Sequence, residues 1–276
     1  MMARVSVAIE AFEGCFQNWR VWLIQFAANL ALFGVFTLWL FIPVSNIWYL
    51  ALNSIVALLL FAFTLVLHGG SLSYFSAQTQ DNSITLPKTF RNTARNLPAI
   101  FIVAAILGLA WYLAGSLDRY EDSLPNYLRS NSPLFIRKVV LLPTYQALVN
   151  AGLFILQWIL VPSLFLPLLA STSSNGFRGL GARGFASWKS CVTKIVYWAV
   201  IAAAVVLGVY ATGKIMNWTP DFRTSTLRHE TVSLIWRGVI SYLLALFAWI
   251  FSCSMVGRCG AATADARDDI DRQTGA

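Results

Sequence analysis

The chain has 276 residues, of which 58% are hydrophobic and only 12% charged, with a mean hydropathy of +0.65 and a formal charge of +8. Ordinary soluble domains carry about 25% charged and about 45–50% apolar residues, and a water-soluble fold of this length has too little interior to hide the surplus. The composition speaks against intrinsic disorder, a disulfide scaffold and a freely diffusing enzyme, and for an integral membrane protein.

A helix crossing the hydrocarbon core needs about 20 mostly apolar residues. Six stretches meet that length, at 21–42, 48–72, 99–117, 148–170, 195–213 and 234–257, and Arg237 is the one formal charge inside them. Unbroken apolar runs such as 55–67 and 199–209 do not alternate as barrel strands do, so the expected fold is an all-α membrane bundle of six transmembrane helices. Trp19, Trp22, Trp39, Trp48, Trp218 and Trp236 fall at or near span ends, where amphipathic rings favour the membrane interface.

In chain order, the first span is too long for a cleaved signal sequence and follows acidic Glu10 and Glu13, so it is expected to stay as an anchor. Pro143, Pro162 and Pro167 interrupt the fourth apolar run. Residues 134–147 then read as an interfacial or re-entrant lead-in, and 148–170 as a crossing kinked at Pro162. Arg237, near the start of the sixth span, is expected to snorkel to the headgroups. Residues 261–276 form a polar tail whose interleaved aspartates and arginines read as a solvated or frayed end.

A weak threefold pattern precedes the odd-numbered spans. Phe12 is followed seven residues later by Trp19, Phe90 by Leu97 and Phe185 by Val192, which is two helical turns and one face. Polar and basic residues fill much of the opposite face, as in helices that lie in the interface. The chain thus reads as three repeats of an interfacial amphipathic helix followed by a transmembrane hairpin. The segment Leu86–Pro98 and this layout are similar to bacterial six-span membrane domains of unknown function, some of which are fused to glycerophosphodiester phosphodiesterases. That resemblance implies an architecture and carries no activity.

Both ends of a six-span chain lie on one side. That side holds twelve Lys and Arg residues against eight on the other, which places the termini in the cytoplasm of a bacterial inner membrane. Arg20, Lys88, Arg91, Arg95, Arg178, Arg183 and Lys189 are the candidate contacts to anionic lipid headgroups. No basic patch dense enough for nucleic acid stands clear of the bilayer. The even-numbered spans end in small or polar runs, at 68–71, 170–174 and 257–262, and these ends are expected to surround a cavity open to the cytoplasm.

Catalytic chemistry is hard to find. No Asp or Glu lies within a span, which disfavours ion-coupled transport. His68, Asn150 and Gln157 are the polar residues that stand out as lining a pathway or bonding helices together, with Gln25, Asn29 and Asn53 in the same class. His68 is expected at the interface. Gly179–Gly184 matches a dinucleotide fingerprint in letters only, without the preceding strand, and reads as part of a flexible surface connection, 176–184. Cys15, Cys191, Cys253 and Cys259 form no Cys-x-x-Cys pair and read as small reduced residues packed between helices. No cofactor or metal is expected. A headgroup-modifying enzyme would need Asp118, Glu121, Asp122 or His68. The expectation is a non-enzymatic accessory, scaffold or assembly subunit bound to anionic lipid, with a membrane-protein partner or a second copy of itself. The alternative is a permease or transporter of lipids or small amphiphiles.

Overall fold

A computed structural model describes residues 2–43, 45–79, 84–218 and 227–274. Among them every regular element is a helix. In chain order these are α1 (Met2–Gln17), α2 (Trp19–Trp39), α3 (Ile47–Gln78), α4 (Leu86–Arg95), α5 (Leu97–Gly115), α6 (Ser123–Asn131), α7 (Leu134–Val139), α8 (Leu142–Phe154), α9 (Val161–Asn175), α10 (Ala182–Val192), α11 (Ile195–Val205), α12 (Thr212–Asn217) and α13 (Leu227–Thr274). Turns of π type at Ile155–Leu160 and Val206–Ala211 join α8 to α9 and α11 to α12. Six helical stretches are long and apolar enough to cross a membrane: Trp19–Trp39, Ile47–Gln78, Leu97–Tyr120, Leu142–Leu180, Ile195–Asn217 and His229–Gly260. The chain is an integral membrane protein of six such helices.

The fourth crossing departs from the sequence expectation. It begins at Leu142, so residues 142–147 belong to the spanning helix, and only α7 remains as a separate lead-in. The helix does not break at Pro162. It widens over Ile155–Leu160, the turn whose carbonyls Pro162 fails to bond and whose backbone its ring would strike. Pro167 removes the in-helix donor for the Ser163 carbonyl, and the buried Tyr197 hydroxyl donates to that oxygen at 2.5 Å instead. In hydrocarbon no water is present to do this, so a side chain must.

Burial is concentrated at one end of the bundle, the near side, where the odd spans begin and the even spans end. Val21 and Gln25 of α2, Leu67–Phe75 of α3 apart from His68 and Tyr74 at its edge, Ile100 and Val103 of α5, and Cys253–Val256 of α13 are in this core. Helix α13 is its pillar, since half of its most apolar window is buried against 6% of that of α3. The far halves of α2, α3 and α5 expose Phe33, Leu38, Trp48, Leu58 and Leu109.

Side-chain hydrogen bonds close each hairpin on the near side. Gln25 Nε2 donates to Ser71 Oγ at 2.6 Å, Asn96 Nδ2 to the Ser173 carbonyl at 3.0 Å, and Lys194 Nζ to the Cys259 carbonyl at 3.2 Å. Further bonds tie the hairpins together: the Ser73 and Ser174 hydroxyls lie 2.9 Å apart, and Thr79 Oγ1 donates to the Gly257 carbonyl. The small residues ending the even spans are therefore packed against one another where these bonds form. A Cβ on Gly69 would lie 2.7 Å from Ser173 Oγ, so glycine there permits the contact of α3 with α9.

The short helices before the odd spans have three faces where the sequence suggested two. Small residues face the protein: Ala11, Gly14 and Cys15 on α1, Thr89 and Thr93 on α4, Gly184, Ser190 and Cys191 on α10. Aromatic residues are exposed on α1 and α10, as at Phe12 and Phe185, whereas Phe90 of α4 is pressed against Gly70. Helix α1 packs on α13, α4 on α3, and α10 on α9 and α13. The Glu10–Arg258 ion pair, at 3.7 Å, joins α1 to α13.

Two further features lie at the ends of α12 and α13. Arg237 bonds the Met216 and Trp218 carbonyls at the end of α12, where a cation complements the helix dipole. The backbone of 261–274 continues as the last turns of α13.

Candidate functional site

A concave site on the near side lies where α4 ends, α5 begins and α9 ends. Helix α4 is short and strongly amphipathic, with Leu86, Thr89 and Thr93 buried and Lys88, Arg91 and Arg95 exposed. Asn96 turns the chain into α5, whose first turn carries Pro98, a residue with no amide hydrogen to leave unbonded. On the opposite wall, α9 stops at Gly176, the one residue among those described with positive φ, at +59°. A Cβ there would also fall 2.7 Å from Asn96 Oδ1, so glycine is required both for the turn and for the close approach. A 3-10 turn, Gly176–Leu180, follows and leads to α10.

These pieces enclose a cleft of about 360 Å³ lined by Arg95, Asn96, Pro98, Asn175, Phe177 and Arg178, with Ala99 and Gly176 completing it. Arg95 and Arg178 are brought together from positions 83 apart in sequence, and neither has a carboxylate in salt-bridge range among the described residues. The loop expected to be flexible is built for close contact. Gly176, Gly179 and Gly184 are buried, and a Cβ on Gly184 would overlap the Gly179 carbonyl, at 1.6 Å. That contact accounts for the glycine spacing that mimics a dinucleotide fingerprint.

The other candidate headgroup residues do not join this cleft. Arg20 is exposed in the first turn of α2 with its guanidinium 5.8 Å from the Trp19 ring centre. Lys88, Arg91 and Lys189 are exposed on α4 and α10, away from the lining. The Arg183 side chain lies outside the described residues. Lys194, not singled out by sequence, is spent on the Cys259 carbonyl.

The three candidate pathway residues are separated. His68 lies partly buried at the edge of the core, edge-on to Trp249 with ring centres 4.9 Å apart. Its Nδ1 and Trp249 Nε1 are both buried without a hydrogen-bond partner among the described residues. Asn150 is exposed on α8. Gln157 lies in the π-type turn, its amide pressed on Gly115, and lines a second cleft of about 390 Å³ on the far side with Trp111, Tyr112, Asp118 and Arg119. Gln25 and Asn29 bond to each other at 2.9 Å and hold α2 to α3.

All four cysteines are free and buried. Burial pushes the Cys15 thiol up to about 12, against a weaker downward pull from Trp22. The Cys259 thiol beside Cys191, with burial, raises Cys191 as well. Raised thiols are poor nucleophiles and poor metal ligands. No family model, curated protein or solved structure matches the chain.

Proposed function

We propose that this protein is a non-enzymatic accessory, scaffold or assembly subunit of a bacterial inner-membrane system, with both termini cytoplasmic and the near side resting on anionic lipid. The observation that carries this reading is the near-side core, in which α3, α9 and α13 touch directly and their polar groups bond one another. A bundle closed in this way suits a rigid platform. Support also comes from α13, which continues 14 residues beyond the last candidate span, about 20 Å of helix carrying Asp265, Arg267, Asp268, Asp269, Asp271 and Arg272. A helical extension of this kind suits a partner on the cytoplasmic side.

Three repeated units belong to the same reading. Their support is that each short helix packs on an even-numbered spanning helix, and that a near-side side-chain hydrogen bond links the two helices of each hairpin. Native mass spectrometry of the protein extracted gently from its own membrane tests the proposal. A stoichiometric protein partner is the expected result, and a chain that carries only a small-molecule cargo would overturn it.

A transporter is the second reading, favoured by the π-type turns in neighbouring fourth and fifth spans, since such turns are frequent where helices must move or bind. On that reading, replacing Asn150 and Gln157 together by Leu abolishes transport. A scaffold carrying the same pair keeps its partner.

A further inference from the structure

We propose that the near-side cleft between α4, α5 and α9 holds one phosphate group. This deepens the lipid-contact part of the proposed function and rests on the near side facing anionic headgroups. Of the basic residues on that side, Arg95 and Arg178 alone line the cleft, and they reach it from different elements. Two arginines lining one cleft, each able to present a guanidinium fork, match the several oxygens of a phosphate better than any single donor. Both lack a carboxylate partner among the described residues, although a surface arginine is readily satisfied by one.

Three further features favour an anion there. Pro98 and Ala99, in the first turn of the 19-residue α5, are part of the wall, so the positive end of that helix dipole borders the cleft. Asn96 is fixed, with Nδ2 on the Ser173 carbonyl and Oδ1 against Gly176, so the wall it forms is pre-built. Phe177, 60% exposed, borders the same space and offers an apolar surface to the glycerol or upper chain of a lipid. Volume is consistent too, since 360 Å³ falls at the small end of the ligand-pocket range, about 300–1,000 Å³.

The phosphate can come from a lipid headgroup or from a soluble phosphate ester, and one experiment separates them. The full chain is assembled in nanodiscs of equimolar phosphatidylglycerol and phosphatidylcholine, released into mild detergent and weighed by native mass spectrometry. One retained phosphatidylglycerol per chain is expected, in preference to phosphatidylcholine. Arg95→Gln and Arg178→Gln should each lower its retention about tenfold or more, the loss of a charge-assisted bond. Asn175→Asp, which puts a like charge on the wall, should do the same, while Lys88→Gln, on the same short helix but outside the cleft, should leave retention unchanged. Competition with glycerol 3-phosphate identifies the source: displacement assigns a soluble ester to the cleft, and retention assigns the lipid.

Equal loss in Lys88→Gln and Arg95→Gln would mean a diffuse surface charge and would overturn the proposal, as would retention indifferent to all three cleft variants. If phosphatidylglycerol is not held but a protein partner is, the cleft proposal fails and the accessory-subunit reading stands. If the lipid is held in the nanodiscs while the protein extracted from its own membrane carries no protein partner, the cleft proposal stands and the accessory-subunit reading fails.

Discussion

The Ser163 carbonyl gives the sharpest test of how this bundle is held together. Pro167 has no amide hydrogen, so the helix supplies no donor to the oxygen four residues before it, and the buried Tyr197 hydroxyl does so at 2.5 Å. Tyr197→Phe removes that donor and leaves the ring in place. A buried acceptor left unsatisfied costs about 1–3 kcal/mol, and Tyr197 is completely buried, so no solvent can step in. We expect destabilisation in that range by SDS titration, with a matching fall in melting temperature in mild detergent. The decisive control is Pro167→Ala, which restores an amide donor to Ser163. In that background Tyr197→Phe should cost almost nothing, a coupling of at least about 1 kcal/mol in the double-mutant cycle. Pro167 is itself buried, so its replacement carries a packing cost, which the cycle subtracts. A Tyr197→Phe penalty of the same size with and without Pro167 would refute the reasoning.

Three other outcomes follow from the same packing. Gly184→Ala should prevent stable folding, because its Cβ would overlap the Gly179 carbonyl; a properly folded variant by size-exclusion chromatography would contradict that geometry. With the Cys15 thiol near 12, about one molecule in ten thousand is thiolate at pH 8, and that fraction grows tenfold per pH unit. N-ethylmaleimide should therefore label Cys15 far more slowly in the folded protein than after unfolding, and equal rates at pH 8 would show the site to be open. His68→Phe exchanges a ring whose Nδ1 has no partner among the described residues for an apolar ring of similar shape. Stability should hold or rise by up to about 2 kcal/mol; a loss larger than 1 kcal/mol would mean that His68 has a partner worth keeping.

The number of spanning helices was legible because it depends on little more than apolar length, and 99–117 against α5 at Leu97–Gly115 shows how close that comes. What escaped depends on contacts between distant residues. His68 drew attention as a lone histidine before two glycines; that those glycines let α3 approach α9 and α4, and that His68 stands edge-on to Trp249 of α13, are contacts no spacing in the sequence announces. The loop at 176–184 looked flexible from its glycines, which are also what close packing requires. Arg95 and Arg178 could be singled out as basic, but their pairing across 83 residues could not be, since α4 and the end of α9 first meet in the folded chain.

The distribution of packing bears on why the prolines sit where they do. The near half of the bundle is dense and bonded hairpin to hairpin, while the far halves of α2, α3 and α5 expose their apolar residues. Lipid is as apolar as leucine, so those far halves gain little by packing on one another, and small residues and hydrogen bonds must hold the spans together. Both resources are concentrated at the near side: Gly69, Ser71 and Ser73 on α3, Ser171, Thr172 and Ser173 on α9, Ser252, Cys253 and Ser254 on α13. Pro162 and Pro167 fall where the fourth crossing enters this region, and the carbonyl Pro167 leaves free becomes the acceptor that ties α11 to α9. A proline that weakens its own helix thus supplies a contact between helices, and a chain with α-helical hydrogen bonding throughout the fourth crossing would lose that tie.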